Sequence, residues 1–348
     1  MDIECAELPQ EIIELISKRL TVYSDYLRFR CVCHSWNSYV PKTPLHLPPQ
    51  LPWLMVSHNS FFDPSTNKTH YINVPLSSTY KTRICGSSFG WLVILHQIWQ
   101  VRLLNPITHA TISLPSLSTL PEFVRRPLDC KSNQFLRKVV LSSNPSDSDD
   151  FVAITIVHLS WLAFCRKGYE SWVLFTINEY YEWMDVAFKN GLFYAVSTKG
   201  MIAVCDVEAP RLSIIKTTNP VDLWCDMHYL VFSGEDMLLV SSFLLREYVS
   251  RSEWFQILKM NWNELKWEEI QTLGKKMLFV GSMSSVSFSA ADFAGSPPNR
   301  IYFINDVYRK NDFGIFSLSS PSLELLVRYK LNSVPSFKGP IWVTPNPR

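Results

Sequence analysis

A proline-rich stretch divides this sequence into two parts with different hydrophobic periods. Five of the twelve residues from Pro41 to Pro52 are proline, which continues neither a helix nor a central strand because it lacks the amide hydrogen. Apolar residues recur at helical spacing before this stretch and in short, strand-length runs after it. The sequence therefore predicts a helical module over residues 1–42, a stiff linker over residues 43–52 and a large β domain over residues 53–348.

The N-terminal module is predicted to contain three short helices. The first is indicated by apolar residues at the three- and four-residue spacing of one helix face, namely Leu8, Ile12, Leu15, Ile16 and Leu20. Pro9 suits its first turn, Ser24 is predicted to cap a second helix ending near Val32, and a third covers residues 33–40. Helices this short bury little apolar surface among themselves, so we expect the module to dock onto a partner or a neighbouring domain.

These residues resemble the F-box, a helical motif that binds the adaptor of cullin-type ubiquitin ligases. The pairs at the family's spacing are Leu8-Pro9, Arg19-Leu20, Ser24-Asp25, Val32-Cys33 and Ser35-Trp36. The resemblance implies an adaptor-binding surface that includes Leu8, Pro9, Ile12, Leu15, Ile16, Leu20, Val32, Cys33 and Trp36. Periodicity by itself leaves open an ordinary helical cap packed on the rest of the chain.

The residues beyond the linker predict a propeller. Asn190-Gly191 between two apolar runs is a strong hairpin signal, and Lys199-Gly200 turns the chain again, which predicts a three-stranded meander. Short strands with few helical patterns favour a series of sandwiches or a propeller. Gly191 and Gly234 each precede an apolar run and are separated by roughly the length of a four-stranded blade. With 12 tryptophans available to pack between sheets, we predict an all-β propeller of about six blades.

The β domain also resembles a plant-specific domain that follows the F-box in a large plant family and is named only as a domain of unknown function. The segments that carry the resemblance are residues 86–92, 104–108, 162–166, 261–262, 266–267, 291–293 with Gly295, 300–303 and 340–345. It implies a propeller-like domain used for target recognition and does not identify the target. Phe89 departs from the family, whose members often carry a polar residue there.

Bulk composition restricts the partners of this chain. With 33 basic and 31 acidic residues the net charge is +2, whereas nucleic-acid binding needs a concentrated basic face. The acidic, amphipathic N-terminus does not resemble a secretory signal, and the longest uncharged runs are better interpreted as paired strands than as membrane spans. We expect no nucleic-acid or membrane partner, a location in the cytoplasm, the nucleus or both, and reduced cysteines.

No catalytic constellation is visible in the sequence. Glu268-Glu269 and the aspartates at 147, 149 and 150 are interpreted as solvated faces or turns. His109 and His158 are interpreted as structural histidines. Cys31-Val32-Cys33-His34 is too crowded for a zinc site and has no second ligand pair, so we expect neither metal nor cofactor. Arg125-Arg126 is interpreted as an exposed loop in preference to a contact for an acidic target.

The sequence thus favours a non-catalytic, substrate-recruiting subunit of a cullin-type (SCF) ubiquitin ligase. Its expected partners are the ligase adaptor, a cullin reached through that adaptor, and an unknown target protein held by the β domain. Two alternatives stay open. One is an enzyme or small-ligand sensor that uses the central channel of the propeller, although fold alone does not imply such a site. The other is a regulatory F-box protein that docks the adaptor without promoting ubiquitination.

Overall fold

A computed structural model describes residues 8–41, 44, 46–47, 50–75, 82–96, 99–121, 136–148, 150–177, 179–218, 221, 225–244, 253–293, 295–305, 312–328 and 339–346. Within these ranges the helices α1 (Gln10–Ser17), α2 (Tyr23–Arg30) and α3 (His34–Tyr39) precede a domain of strands with short 3-10 turns at Leu117–Thr119 and Ala290–Asp292. No helix among the described residues has the length and apolar character needed to cross a membrane.

The described strands form six sheets, which are the blades of a β-propeller. The first blade comprises β1 (Trp53–Ser57), β2 (Ser60–Asp63), β3 (Lys68–Tyr71) and the C-terminal β25 (Ile341–Val343). The second comprises β4 (Thr82–Ser88), β5 (Trp91–His96), β6 (Val101–Leu104) and β7 (Thr111–Leu114). The third comprises β8 (Leu136–Leu141), β9 (Val152–Val157), β10 (Trp161–Arg166) and β11 (Val173–Leu174). The predicted fold class, three helices followed by a propeller of about six blades, is confirmed.

The other three blades continue along the chain. The fourth blade comprises β12 (Trp183–Lys189), β13 (Leu192–Ser197), β14 (Ile202–Asp206) and β15 (Arg211–Ile215). The fifth comprises β16 (Met227–Ser233), β17 (Asp236–Leu244), β18 (Glu253–Asn261) and β19 (Lys266–Glu269). The sixth comprises β20 (Lys276–Val280), β21 (Val286–Ser289), β22 (Arg300–Asn305), β23 (Asp312–Ser317) and β24 (Ser322–Arg328). The sixth blade departs from the four-stranded pattern because β20 pairs parallel with β22 and β21 is added on its inner side.

The ring is closed by pairing the two ends of the β domain. β25 is antiparallel to β1, with Leu54 opposite Trp342 and Met55 opposite Ile341. The innermost strands β25, β4, β8, β12, β16 and β21 follow one another around a central channel, each in contact with the next. Radial repetition of this kind leaves only short, protected sheet edges.

Large aromatic side chains join neighbouring blades, as their number in the sequence suggests. The indole N–H of Trp172, beside the third blade, donates to the Pro115 carbonyl after the second blade at 2.8 Å. Trp267 of the fifth blade donates to the Gly200 carbonyl in the fourth at 2.8 Å. Each indole therefore buries a large apolar body between sheets while its polar group is satisfied.

The repeated spacing of Gly191 and Gly234 reflects equivalent hairpin turns in two blades. Asn190 and Gly191 join β12 to β13, with Lys189 opposite Leu192, and Gly234 and Glu235 join β16 to β17, with Ser233 opposite Asp236. Both glycines have positive φ, 83° and 65°, a conformation that costs glycine nothing. The two glycines thus occupy corresponding hairpins of adjacent blades.

The helical module differs from the prediction at its caps. Pro9 is the N-cap of α1 instead of its first residue. Val22, in an extended conformation and without a side-chain cap, precedes α2, so Ser24 lies inside the helix. The helix begins at Tyr23, whose side chain is buried, and this packing outweighs the capping preference of serine. The predicted domain boundaries at residues 42 and 52 stay predictions, since several residues of that stretch lie outside the described ranges.

Candidate functional site

Helix α1 buries one face and exposes apolar side chains on another. Ile13 and Ser17 are buried, and the Ser17 hydroxyl donates to the Glu14 carbonyl at 2.8 Å. Ile12, Leu15 and Ile16 are 43%, 51% and 37% exposed. We call these three residues, together with the exposed Pro9, the α1 outer face. Exposed apolar side chains grouped on one helix indicate a contact surface more strongly than single ones do.

The nine residues predicted to bind the adaptor fall into two groups. Pro9, Ile12, Leu15, Ile16 and Val32 are exposed. Leu8, Leu20 and Cys33 are partly buried against the cluster that contains Ile13 and Trp36. Trp36 is 8% exposed and its ring centroid lies 4.3 Å from that of Phe29. The exposed group presents apolar surface to a partner, whereas the packed group holds the helices together; adaptor binding by these residues stays a prediction.

The helical module also packs against the propeller. Its buried residues belong to one cluster with residues of the first two blades, including Trp53, Met55 and Ile84. Residues of the proline-rich stretch lie against the helices as well: the Tyr26 hydroxyl donates to the Pro41 carbonyl at 2.6 Å, and the His46 ring nitrogen Nε2 lies 3.0 Å from the Ser17 carbonyl. A helical cap accounts for this inner face, whereas the α1 outer face stays exposed in the part of the chain that the structure describes.

Comparison with known proteins identifies both parts of the chain. Residues 6–47 match the F-box domain, and residues 61–317 match the KIB1-4 beta-propeller. The chain belongs to the KIB1-4 β-propeller family. It is a plant F-box protein with a C-terminal propeller, as the sequence indicated. F-box domains typically bind Skp1-type adaptors within SCF complexes, and no catalytic family is indicated.

Two relatives from Arabidopsis thaliana match this F-box propeller protein over most of both chains. It is 26% identical to the F-box protein SKIP23 of Arabidopsis thaliana, and the match covers 99% of this chain and 97% of the relative. It is 26% identical to the Arabidopsis thaliana F-box protein At2g17036, covering 98% of this chain and 93% of the relative. Among solved structures, the β-propeller domain of Cps50 (Swd1) from Myceliophteria thermophila is 12% identical with a TM-score of 0.40, covering 81% and 87% of the two chains.

A second candidate site of this F-box propeller protein is a cavity at one mouth of the channel. This cavity, of about 380 Å³, is lined by residues from every blade. One residue per blade, in order, is Thr344, Phe89, Lys138, Phe188, Phe232 and Phe288. The sequence showed no polar cluster, because these residues are far apart along the chain. The serine-rich run around β21, from Ser282 to Ser289, was the one local signal for it.

A buried ion pair forms part of the channel wall. Lys138 Nζ donates to Asp185 Oδ1 at 2.6 Å, and the two side chains are 5% and 3% exposed. Asp185 also accepts from the backbone N–H of Val186 at 2.7 Å and of Leu230 at 2.8 Å. The carboxylate thus connects the third, fourth and fifth blades, and its buried charge is compensated by three donors.

The side chain of Phe89 stands at the rim of this cavity on a strained turn. Phe89 and Gly90 form the turn between β4 and β5, with Ser88 opposite Trp91, and both have positive φ, 51° and 81°. A two-residue turn with this backbone favours Asn-Gly, and a bulky residue at positive φ is uncommon. Asparagine therefore suits the backbone at this position better than phenylalanine does.

Replacement of Phe89 by asparagine is expected to stabilise the protein. The Phe89 side chain is 46% exposed, so little packing is lost, while asparagine tolerates the left-handed conformation. We expect Phe89→Asn to raise the free energy of unfolding by about 1 kcal/mol, measured by urea denaturation followed by circular dichroism. The control is Tyr71→Asn, which removes an aromatic ring that is 77% exposed; an equal change in both variants would show that backbone strain at Phe89 is absent.

Other residues singled out in the sequence lie away from the α1 outer face and do not line the cavity. Glu268 and Glu269 lie exposed on β19. The pKa of Glu268 is lowered mainly by the hydrogen bond that it accepts from Asn261 and, to a smaller extent, by the one that it accepts from Lys266. His109 is exposed in a turn with positive φ, and burial lowers the pKa of the half-buried His158. Burial raises the pKa of the thiols of Cys165 and Cys205, as expected for small apolar core residues.

The remaining candidates from the sequence are an arginine pair, a group of aspartates and a possible metal site. Arg125-Arg126 and Asp149 lie outside the described residues. Asp147 and Asp150 flank the exposed turn after β8, where Asp147 accepts from the Asn144 side chain at 3.0 Å. Among the residues that the structure describes, no group of three histidine, cysteine, aspartate or glutamate side chains is placed to hold a metal ion.

Proposed function

We propose that this protein recruits substrates to an SCF ubiquitin ligase. The F-box helices bind a Skp1-type adaptor, and the propeller binds the protein to be modified. The observation that carries the proposal is the α1 outer face: Ile12, Leu15 and Ile16 stay exposed on a helix whose other side is packed. In a domain that matches the F-box, this face is the surface available to the adaptor.

Burial of this face supplies the binding energy for the adaptor. Complete removal of a leucine or isoleucine side chain from water contributes about 1.5–3 kcal/mol, and a few such residues near the centre of an interface usually dominate its affinity. Trp36 and Ile13 contribute indirectly, because they fix α1 against the other two helices.

The propeller contributes position and no covalent chemistry. The helices and the first two blades share one buried cluster, and the bond between His46 and the Ser17 carbonyl draws the proline-rich stretch onto the helices. A target bound to the propeller is therefore held at a defined distance from the adaptor. Ubiquitin transfer is accelerated because the target lysine and the ubiquitin-charged enzyme are brought together.

The first test is binding of the full chain to a purified Skp1-type adaptor. Truncation of a central anchor costs about 2 kcal/mol, or about thirtyfold in Kd. We expect Leu15→Ala to lose about that much and Leu15→Asp to lose more, because a charge would be buried without a partner. The dissociation constants are measured by calorimetry.

The matched control is Tyr71→Asp, which places the same charge on an exposed side chain of the first blade. It should bind the adaptor like the wild type. Failure of the folded wild type to bind, or equal binding by Leu15→Asp and Tyr71→Asp, would overturn the proposal. A reconstituted ubiquitination assay then separates a recruiting subunit, which promotes turnover of its target, from a regulatory F-box protein.

A further inference from the structure

The cavity at the channel mouth combines an aromatic rim with hydrogen-bond donors. Phe89, Phe188, Phe232 and Phe288 line it from four different blades, and each of them is half-buried or exposed. Its volume of about 380 Å³ lies within the range of small-molecule pockets. Phe188, Phe232 and Phe288 also pack on an aromatic neighbour, with ring centroids 4.8, 5.3 and 5.5 Å apart. The part of each ring that stays accessible, together with the exposed ring of Phe89, suits a flat aromatic group.

Donor groups face this cavity without acceptors. The hydroxyls of Ser87, Ser284 and Thr344 line it and make no hydrogen bond to another of the described residues. Lys138 lines it as well; of its three N–H groups, one is used by Asp185. Among the described lining residues no side chain is acidic. The cavity thus offers donors to a ligand that carries an acceptor.

The strained turn supplies an independent observation. Phe89 keeps a phenylalanine ring at the rim although its backbone, with φ of 51°, favours asparagine. Backbone strain of this kind persists where the surrounding structure holds it, and it clusters at binding sites. Gly90 beside it is equally constrained, because a Cβ there would lie 2.4 Å from the Thr344 carbonyl oxygen. The rim is therefore built to a defined shape.

We propose that the channel mouth binds a small planar aromatic carboxylate. The aromatic ring system of the ligand packs on the accessible surface of the phenylalanine side chains, and its carboxylate accepts hydrogen bonds from the Lys138 ammonium and from the hydroxyls of Ser284 and Thr344. A carboxylate suits this position because Lys138 lines the cavity and has N–H groups beyond the one that it donates to Asp185. The proposal goes beyond adaptor binding and does not depend on it.

The test is titration of 2-naphthoate into the full chain, followed by calorimetry and by ligand-observed NMR. A compact ligand of this size is expected to bind with a Kd of about 1 mM or tighter. 2-Naphthamide keeps the ring system but lacks the charge, and cyclohexanecarboxylate keeps the charge but lacks the flat ring. We expect both to bind at least about tenfold more weakly, because each lacks one half of the interaction.

Variants of the cavity locate the site. Phe89→Asn removes one ring from the rim while relieving the strained turn, so loss of binding in this variant cannot result from unfolding. Thr344→Val removes a donor and keeps the shape of the side chain. Each is expected to weaken 2-naphthoate binding by about five- to tenfold. Tyr71→Asn, on the outer strand of the first blade, is the control and should bind like the wild type.

Three outcomes would overturn the proposal. The first is no binding of 2-naphthoate to the folded wild type at about 5 mM. The second is equal binding of all three compounds, which would show that the site recognises neither the ring nor the carboxylate. The third is unchanged binding in both Phe89→Asn and Thr344→Val, which would place the ligand elsewhere. Since no adaptor is present in this experiment, its result is separate from that of the adaptor-binding test.

Discussion

Trp342→Ala is expected to lower the free energy of unfolding by about 3–5 kcal/mol, the range for removal of a large buried aromatic side chain. Trp342 lies on β25, the strand that closes the ring, and is 1% exposed. Its ring packs edge to face against Phe279 and Phe313, with centroid distances of 5.1 and 5.4 Å. Its indole N–H donates to the Val280 carbonyl at 3.1 Å.

This substitution acts on more than one blade at once. Phe279 and Val280 belong to β20 and Phe313 to β23, both in the sixth blade, whereas β25 is paired with β1 in the first blade. Loss of the indole therefore leaves a cavity at the junction between the two ends of the ring. Urea denaturation followed by circular dichroism and tryptophan fluorescence measures the effect.

Two controls separate closure from the general loss of an aromatic ring. Trp342→Phe keeps an aromatic body but removes the hydrogen bond, and should cost about 1–2 kcal/mol. Trp262→Ala removes a tryptophan that is 42% exposed, and should cost less than about 1 kcal/mol. Equal losses for Trp342→Ala and Trp262→Ala would contradict the role assigned to β25.

Lys138→Met is expected to destabilise the propeller by about 3–5 kcal/mol, because it leaves the Asp185 carboxylate buried without its counter-charge. The two side chains are 5% and 3% exposed, and methionine occupies a volume similar to that of the lysine stem. The two backbone donors of Val186 and Leu230 remain, but they do not compensate a full negative charge.

The double variant provides the decisive comparison. Lys138→Met/Asp185→Asn removes both charges and keeps an acceptor oxygen for a backbone N–H, so it should be more stable than Lys138→Met alone. The two single changes are therefore expected to be non-additive by about 1–3 kcal/mol in a double-mutant cycle of urea denaturation. Additive effects would show that the pair is not coupled. The exposed pair of Arg28 and Asp25 is the control cycle, with an expected coupling below about 1 kcal/mol.

Much of the local structure follows from patterns within a few residues. The spacing of Ile12, Leu15 and Ile16 predicts α1, and Asn190-Gly191 predicts the hairpin of β12 and β13, because helix period and turn chemistry are properties of short segments. The class of the β domain follows in the same way from many short strands. No such pattern predicts β21, which is held between β16 and β20 by contacts from other parts of the chain.

The orientation of α1 could not be predicted from the local sequence pattern. Periodicity places Ile12, Leu15 and Ile16 together on one face of the helix, and it does not say whether that face is covered. The structure packs the adjacent face, with Ile13 and Ser17, and exposes the first. Trp36 was also predicted to belong to the adaptor-binding surface, but the structure buries its side chain beside Phe29. Burial depends on which neighbours the fold supplies.

The sequence alone was enough to establish the helical module, the strand-rich domain and the F-box resemblance, since each rests on residues close together in the chain. Ring closure and the channel mouth were decided by the tertiary structure. β25 meets β1 across almost the whole length of the chain, and Phe89, Lys138 and Phe288 meet only when separate blades surround one channel. Contacts of this kind form because a closed ring brings the inner strand of every blade to the same axis, and no window along the sequence contains them.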